Sequence, residues 1–235
     1  MLNDKPVAVI AGAGPGNGAA FARRFAGAGY AVAILSRHEE TLAPIAADVH
    51  DVHSYVCDVG DAKSVDETFA RIRRELGDVD ALLYNAGSGV FADVETITPE
   101  QFEQSWRVNA YGALLCSRQV IPVMKARGAG AIIFSGATAS RRGGIKSAAF
   151  APAKAAQRSL AESMARKLWP AGIHVALIII DGIVDIPKTR AAMPDRPDNA
   201  FVDPAGVAEI ALQLCHQGRQ AWSFEVEARP YTETW

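Results

Sequence analysis

The chain turns glycine-rich directly after its first aliphatic run: Val7–Ala11 leads into Gly12-Ala13-Gly14-Pro15-Gly16-Asn17-Gly18, and a helical pattern follows. At a strand–helix junction, glycine permits a tight turn, close approach of backbone to a pyrophosphate and close packing of helix on strand. The helix start then offers free N–H groups and a positive dipole end to phosphate oxygens. Two registers fit. Gly14, Gly16 and Ala19 satisfy G-x-G-x-x-A, whereas Gly12, Gly16 and Gly18 satisfy G-x-x-x-G-x-G and put the first glycine at the strand's end. The second is preferred, and a dinucleotide is the ligand it predicts. The next strand ends in Ser36-Arg37, where an NAD site carries an acid for the ribose 2′-hydroxyl. A guanidinium there pairs with a 2′-phosphate. The chain is therefore expected to take NADP(H) in preference to NAD(H); the alternative is that Arg37 is a solvated loop cation.

The remaining reactive residue types give weaker patterns. His38, His50, His53, His174 and His216 have no metal-ligand spacing, so no metal site is predicted, and His174 on an aliphatic run reads as a satisfied polar side chain. Cys57, Cys116 and Cys215 lie far apart, which argues against a disulfide framework or zinc site and fits a reducing compartment. Asp181, directly before Gly182, and Asp185 read as turn residues rather than acid–base groups, since Asp-Gly is itself a turn signal. Arg141-Arg142 could guide an anionic substrate; the competing reading is a solvated loop pair.

The elements that must position these groups follow from composition and periodicity. The chain has 235 residues, 49% apolar and 21% charged, with formal net charge −2. That suffices for a full core and argues against disorder and against a basic nucleic-acid binder. The aliphatic stretch Val175–Ile180 stops at Asp181, far short of a membrane span. Asp4 before a short apolar run argues against a signal peptide, so a cytoplasmic protein is expected. Strand candidates are Val7–Ala11, Tyr30–Ser36, Val52–Cys57, Ala81–Asn85, Ala131–Ser135, Ile173–Ile180 and Trp222–Val226. Helical candidates between them are Gly16–Ala28, Glu39–Val49, Asp61–Leu76, Pro99–Arg127, Ser147–Trp169 and Pro204–His216. The alternation predicts one α/β domain over residues 1–235: a doubly wound parallel sheet of about seven strands with helices on both faces. The Asp185–Asp203 stretch, with Pro187, Pro194 and Pro197, reads as a loop at a strand's carboxyl end, either a substrate lid or a surface connection.

In this order and spacing, the motifs resemble the short-chain dehydrogenase/reductase family over nearly the whole chain. The matching pieces are the glycine loop, Cys57-Asp58-Val59, Asn85-Ala86-Gly87, Val108-Asn109-Ala110-Tyr111-Gly112, and Lys154 within Phe150-Ala151-Pro152-Ala153-Lys154-Ala155-Ala156. The resemblance implies a Rossmann-type nucleotide-binding sheet and hydride exchange with a small organic substrate, carbonyl or alcohol. It places Asp58 and Val59 against the adenine, Asn85, Ala86 and Gly87 along the cofactor's central path, Lys154 on the nicotinamide ribose hydroxyls and Ile183 near the carboxamide. Asp181 stands where the family has proline. The resemblance also implies pairing of the helices bearing Trp106, Leu114, Leu115, Met164 and Leu168 with a second copy, as a homodimer or homotetramer. One-sided packing on the sheet explains those residues equally well. The tail residues Tyr231 and Trp235 are candidates to cover a subunit or cleft edge.

The family's proton machinery is a tyrosine four residues before the lysine and a serine thirteen before that tyrosine. Here those positions are Phe150 and Ala137, neither of which exchanges a proton. Asn109, which resembles an anchor for water joining the lysine to solvent, and Lys154 remain. Loss of positioned acid–base groups is typically worth ~10²–10⁴ in rate. Three explanations compete. Thr138, Ser135, Ser140, Ser147 or Tyr111, or a desolvated Lys154 with a water, could supply the proton, with Thr138 best placed. The substrate could be conjugated or an iminium, needing little oxygen protonation. Or the chain binds NADP(H) without turnover, as a sensor or partner subunit.

Overall fold

All five residues of β1 (Val7–Ala11) are buried, which only a strand covered on both faces tolerates. Alternate side chains divide: Val7, Val9 and Ala11 enter one apolar cluster, Ala8 and Ile10 the other. The rest of the chain repeats that logic. In the computed structural model, which describes residues 5–233, the first half continues with α1 (Asn17–Gly27), β2 (Ala31–Ser36), α2 (Glu39–Asp48), β3 (Val52–Val56), α3 (Ala62–Glu75) and β4 (Val79–Tyr84). Then follow α4 (Pro99–Trp106), α5 (Gly112–Arg127), β5 (Gly130–Ala137), α6 (Phe150–Leu168) and β6 (Ile173–Ile180). The last elements are β7 (Ile183–Val184), α7 (Pro187–Ala192), β8 (Phe201–Val202), α8 (Pro204–Cys215) and β9 (Glu225–Ala228).

Seven strands form one parallel sheet in the order β3-β2-β1-β4-β5-β6-β9. The expected doubly wound architecture is therefore what forms. One apolar layer collects Val65, Phe69 and Ile72 of α3 with Cys116 and Val120 of α5 and Met164 of α6. The opposite layer collects Phe21 and Phe25 of α1, Leu42 of α2, and Val207 and Leu212 of α8. Strand order reverses between β1 and β4, and at such a reversal the crossovers diverge and leave a crevice at the carboxyl ends.

Several boundaries differ from those read off the sequence, each for a local reason. The helix expected from Ser147 begins at Phe150, because Ser147 Oγ is turned back onto Gly144, accepting from its N–H at 2.6 Å and donating to its carbonyl at 2.9 Å. The last strand begins at Glu225 rather than Trp222, whose indole donates to the Gln217 carbonyl at 3.1 Å while its ring stacks on His174 at 4.8 Å. His174 is buried with both ring nitrogens 2.9 Å from backbone carbonyls, of Leu214 and Ser223. The Asp185–Asp203 stretch is not a plain loop. β7, just before it, pairs with β8 near its far end, and α7 lies between. Arg190 organises it, bonding Asp185 through two nitrogens at 2.7 Å and covering the Phe201 ring at 4.3 Å. Proline spacing carries no trace of that clamp.

The helix expected over Pro99–Arg127 starts where predicted, with a capping box between Thr98 and Gln101 and Pro99 in the first turn. It is interrupted once. Arg107–Tyr111 forms a π-turn joining α4 to α5, and two of its carbonyls have partners outside the helix. The Tyr84 hydroxyl donates to the Val108 carbonyl, and Gln157 Nε2 donates to the Asn109 carbonyl at 2.9 Å. Such turns sit frequently at functional sites. No helix among the described residues is long and apolar enough to cross a membrane. Tyr231 is exposed with its hydroxyl bonded by Asn199 Nδ2 at 2.9 Å, whereas Trp235 lies outside the described residues.

Tyr84 is fully buried, so Tyr84→Phe strands the Val108 carbonyl in an apolar setting. The expected loss is about 1–3 kcal/mol, read as a lower urea midpoint with unchanged slope.

Candidate active site

The turns after β1 and β4 are tied together at the reversal point. The Asn85 and Ala86 N–H groups both donate to the Ala11 carbonyl at 2.8 Å, and Asn85 Nδ2 donates to the Gly12 carbonyl at 2.8 Å. Gly12 has φ +95°, and a Cβ there would overlap the Ala86 backbone nitrogen. Gly16 has φ +102°, and a Cβ there would overlap Ile186 Cγ2. Both positions therefore need glycine on two grounds, backbone conformation and space. This supports the register that begins at Gly12.

A groove of about 370 Å³ crosses the carboxyl ends of the strands beside this junction. Gly12, Asn17 and Gly18 line it from the first turn, and Ser36 and Arg37 from the end of β2. Asp58 and Val59 line it after β3, and Asn85, Ala86 and Gly87 after β4. Asp58 is oriented by its own turn, with Oδ1 accepting from the Gly60 N–H at 2.9 Å. No side chain caps α1, and the buried Asn17 Oδ1 has no partner. The open N–H groups of α1 and the missing Cβ at Gly12 together fit a diphosphate.

Two expected contributors lie elsewhere. Gly16 makes the bend but does not line the groove, and Ile183 pairs with Phe201 in the small sheet. Val184 and Ile186 line the groove instead. Neighbouring residues of an extended segment point oppositely, so only one of Ile183 and Val184 can face it. That alternation, counted from Gly182, was the available signal.

Beyond Gly87 the polar groups crowd. Lys154 is buried, and Nζ donates to the Ser135 carbonyl at 2.8 Å and to Gln157 Oε1 at 3.2 Å. Burial pushes its amine down to about 7. Asn109 is fully buried in the π-turn, with Nδ2 donating to the Ser105 carbonyl at 2.8 Å and Oδ1 unpartnered. A Cβ at Gly87 would stand 3.4 Å from that oxygen and 3.9 Å from Lys154 Nζ, so the three groups meet. Phe150 lies on the same helix with its ring centre 5.9 Å from Nζ and 5.6 Å from the exposed Phe91 ring.

Of the candidate proton donors, Thr138 and Ser147 direct their hydroxyl protons elsewhere. The Thr138 hydroxyl donates to Asp181, whose second oxygen pairs with Arg229. Asp181 is 7% exposed, so it is a buried paired carboxylate rather than the turn residue expected. Ser140 Oγ accepts from the Ala137 N–H at 3.1 Å, and Tyr111 stacks on Trp106 at 5.7 Å. Asp185 belongs to the Arg190 clamp. Arg141 is no solvated loop cation, since it pairs with Glu225 and Glu227 on β9.

The short chain dehydrogenase family matches residues 6–197. The chain belongs to that family. Its fold is shared by a short-chain dehydrogenase of Rhodopseudomonas palustris, 33% identical, with TM-score 0.81 and coverage of 96% of this chain and 99% of that one. An alcohol dehydrogenase of Thermococcus sibiricus, solved with 5-hydroxy-NADP, is 25% identical with TM-score 0.87, covering 98% and 99%. A 3-ketoacyl-(acyl-carrier-protein) reductase of Brucella melitensis, solved with NADH, is 27% identical with TM-score 0.86, again covering 98% and 99%. As a short-chain dehydrogenase, the protein is an oxidoreductase on a Rossmann-type nucleotide-binding fold, and its solved neighbours bind NAD(P).

Two outcomes follow from this geometry. Gly12→Ala places a side chain at positive φ against Ala86, and the strained backbone alone costs of order 1–3 kcal/mol; chemical unfolding of the variant reads the loss. An unfolded lysine titrates near 10.4, so the unfolded chain binds more protons than the folded one between about 7 and that value. Stability contributed by this residue thus rises with pH across the window. Lys154→Met removes a slope of up to about 1.4 kcal/mol per pH unit, visible when urea unfolding of both proteins is compared across it.

Proposed function

We propose that the chain is an NADP(H)-dependent oxidoreductase that moves a hydride to or from a small carbonyl or alcohol substrate, using a site without the usual hydroxyl donors. Arg37 carries this reading. It lines the groove at the end of β2, beside Ser36 and next to the glycine turn, whose Gly12 and Ala13 N–H groups donate to the Leu35 carbonyl, and a ribose 2′ substituent would lie there. A guanidinium at that place offers paired N–H donors to a phosphate and no acceptor to a hydroxyl. Gly12, Gly18 and the start of α1 would hold the diphosphate, and Asp58 and Val59 the adenine. Asn85, Ala86 and Gly87 would line the central path, and Lys154 would hold the nicotinamide ribose. The carboxamide contact would come from Val184, the neighbour of Ile183 that lines the groove.

When bound, the nicotinamide supplies or accepts the hydride. The chain's own residues shape what can receive it. Phe150 and Phe91 present an apolar wall beside the lysine, and Ala137, where the resemblance puts a serine, carries no donor. Such a wall suits a substrate carbon that is already electron-poor, conjugated or iminium, because little charge then develops on an oxygen that needs a proton. A second reading, a nucleotide-binding sensor or partner subunit without turnover, is favoured by the commitment of Thr138 to Asp181 and Arg229. The half-exposed Phe102, Trp106 and Leu114 on α4 and α5 support pairing with a second copy, whereas Met164 and Leu168 belong to the core.

Calorimetric titration tests the cofactor assignment. NADPH is expected to bind at least about tenfold tighter than NADH, a difference of ~1.4 kcal/mol, and Arg37→Ala is expected to erase the gap. Equal affinities in the unaltered protein overturn it. The double variant Phe150→Tyr, Ala137→Ser is expected to raise ketone reduction by about 10²-fold or more. If neither protein turns over any carbonyl, alcohol, enone or iminium while both bind NADPH, the sensor reading stands.

A further inference from the structure

Gln157 is buried to 0% exposure on α6, one helical turn beyond Lys154, and nothing in the cofactor reading gives it a task. Residues three apart share a helix face. Its neighbours toward the core on this helix are Ala153, Ala161 and Met164, so an amide here replaces a side chain that could have been apolar. A buried amide is tolerated only with its donor and acceptor both met, and both are met by parts of the candidate site. Oε1 accepts from Lys154 Nζ at 3.2 Å, and Nε2 donates to the Asn109 carbonyl at 2.9 Å.

We propose that Gln157 is the positioning residue of this site, a bridge that fixes the Lys154 ammonium to the π-turn and holds it against the sheet at the head of the groove. With the Ser135 carbonyl as the second acceptor at 2.8 Å, two of the three ammonium N–H directions are assigned. The third remains for the space beside Gly87, where the unpartnered Asn109 Oδ1 also faces. The bridge thus decides where the amine points and ties it to the π-turn main chain through the Asn109 carbonyl. That Lys154 then meets a nucleotide ribose rests on the NADP(H) reading; the bridge itself does not.

The electrostatic consequence separates a positioning role from mere packing. The groups facing Lys154 are the Ser135 carbonyl from β5, Gly87 from the turn after β4, Asn109 from the π-turn, and Phe150 and Gln157 from its own helix. None of these titrates, and burial is what lowers the amine. An acceptor aimed at Nζ favours the charged form, so Gln157 opposes that lowering. A carboxylate in its place opposes it more strongly, and an apolar side chain of similar length does not oppose it at all.

The test is a titration of the Lys154 side chain in the full chain without nucleotide, using lysine carrying ¹³C at Cε and assigning the resonance by its absence in Lys154→Met. Gln157→Glu is expected to raise the midpoint by about one pH unit or more, and Gln157→Met to lower it by about half a unit or more. The same proteins are titrated with NADPH, and Gln157→Met is expected to lose affinity at a lower pH than the parent does. Midpoints unmoved in both folded variants overturn the proposal. If Gln157→Met does not fold, the isosteric Gln157→Glu decides alone. If the midpoints move as stated while no pyridine nucleotide binds to any form, the bridge is supported and the NADP(H) reading fails.

Discussion

Everything at the mouth of this protein depends on how two turns are tied where the strand order reverses. Two adjacent N–H groups and one side-chain amide from the turn after β4 converge on the Ala11 and Gly12 carbonyls. Both chains then pass so close that only hydrogen fits at the Gly12 α-carbon. Parallel strands alone would splay here, because successive crossovers leave toward opposite faces. The tie turns that divergence into a shaped groove, lined by the uncapped start of α1 and by Arg37.

The sheet was legible because its cause is local. Runs such as Val7–Ala11 and Ile173–Ile180 are buried throughout, and solid aliphatic composition is the signature of that environment. The groove was legible for a related reason, since glycine is nearly the only answer to a positive φ combined with a close approach. What stayed hidden was pairing at a distance. Asp181 beside Gly182 looks like a turn signal, yet its partners, Thr138 and Arg229, lie 43 and 48 residues away. The π-turn was invisible because its carbonyls are claimed by Tyr84 and Gln157, and no periodicity encodes a hydroxyl or an amide arriving from elsewhere. Helix α7 was missed because its order comes from Arg190 reaching both flanks.

Under the proposed function, the site shows two losses of different kind. Phe150 and Ala137 are absences that can be read directly from spacing. The withdrawal of Thr138 into a buried ion pair is a loss that only the folded chain displays. Both leave the lysine as the nearest ionisable group to the space beside Gly87, held by neutral partners alone.

β9 lies at the sheet's edge, and its Glu225 and Glu227, joined by Arg229 two positions on, meet Arg158, Arg141 and Asp181 in alternating sign. The outer rungs are partly open to water, with Arg141 and Arg158 side chains 40% and 37% exposed, whereas the innermost pair is 15% and 10% exposed. Dissolved ions screen the first kind far more than the second. Rising ionic strength should therefore loosen this border of the sheet from its rim inward, and the floor beneath Thr138 should be the last part to feel it.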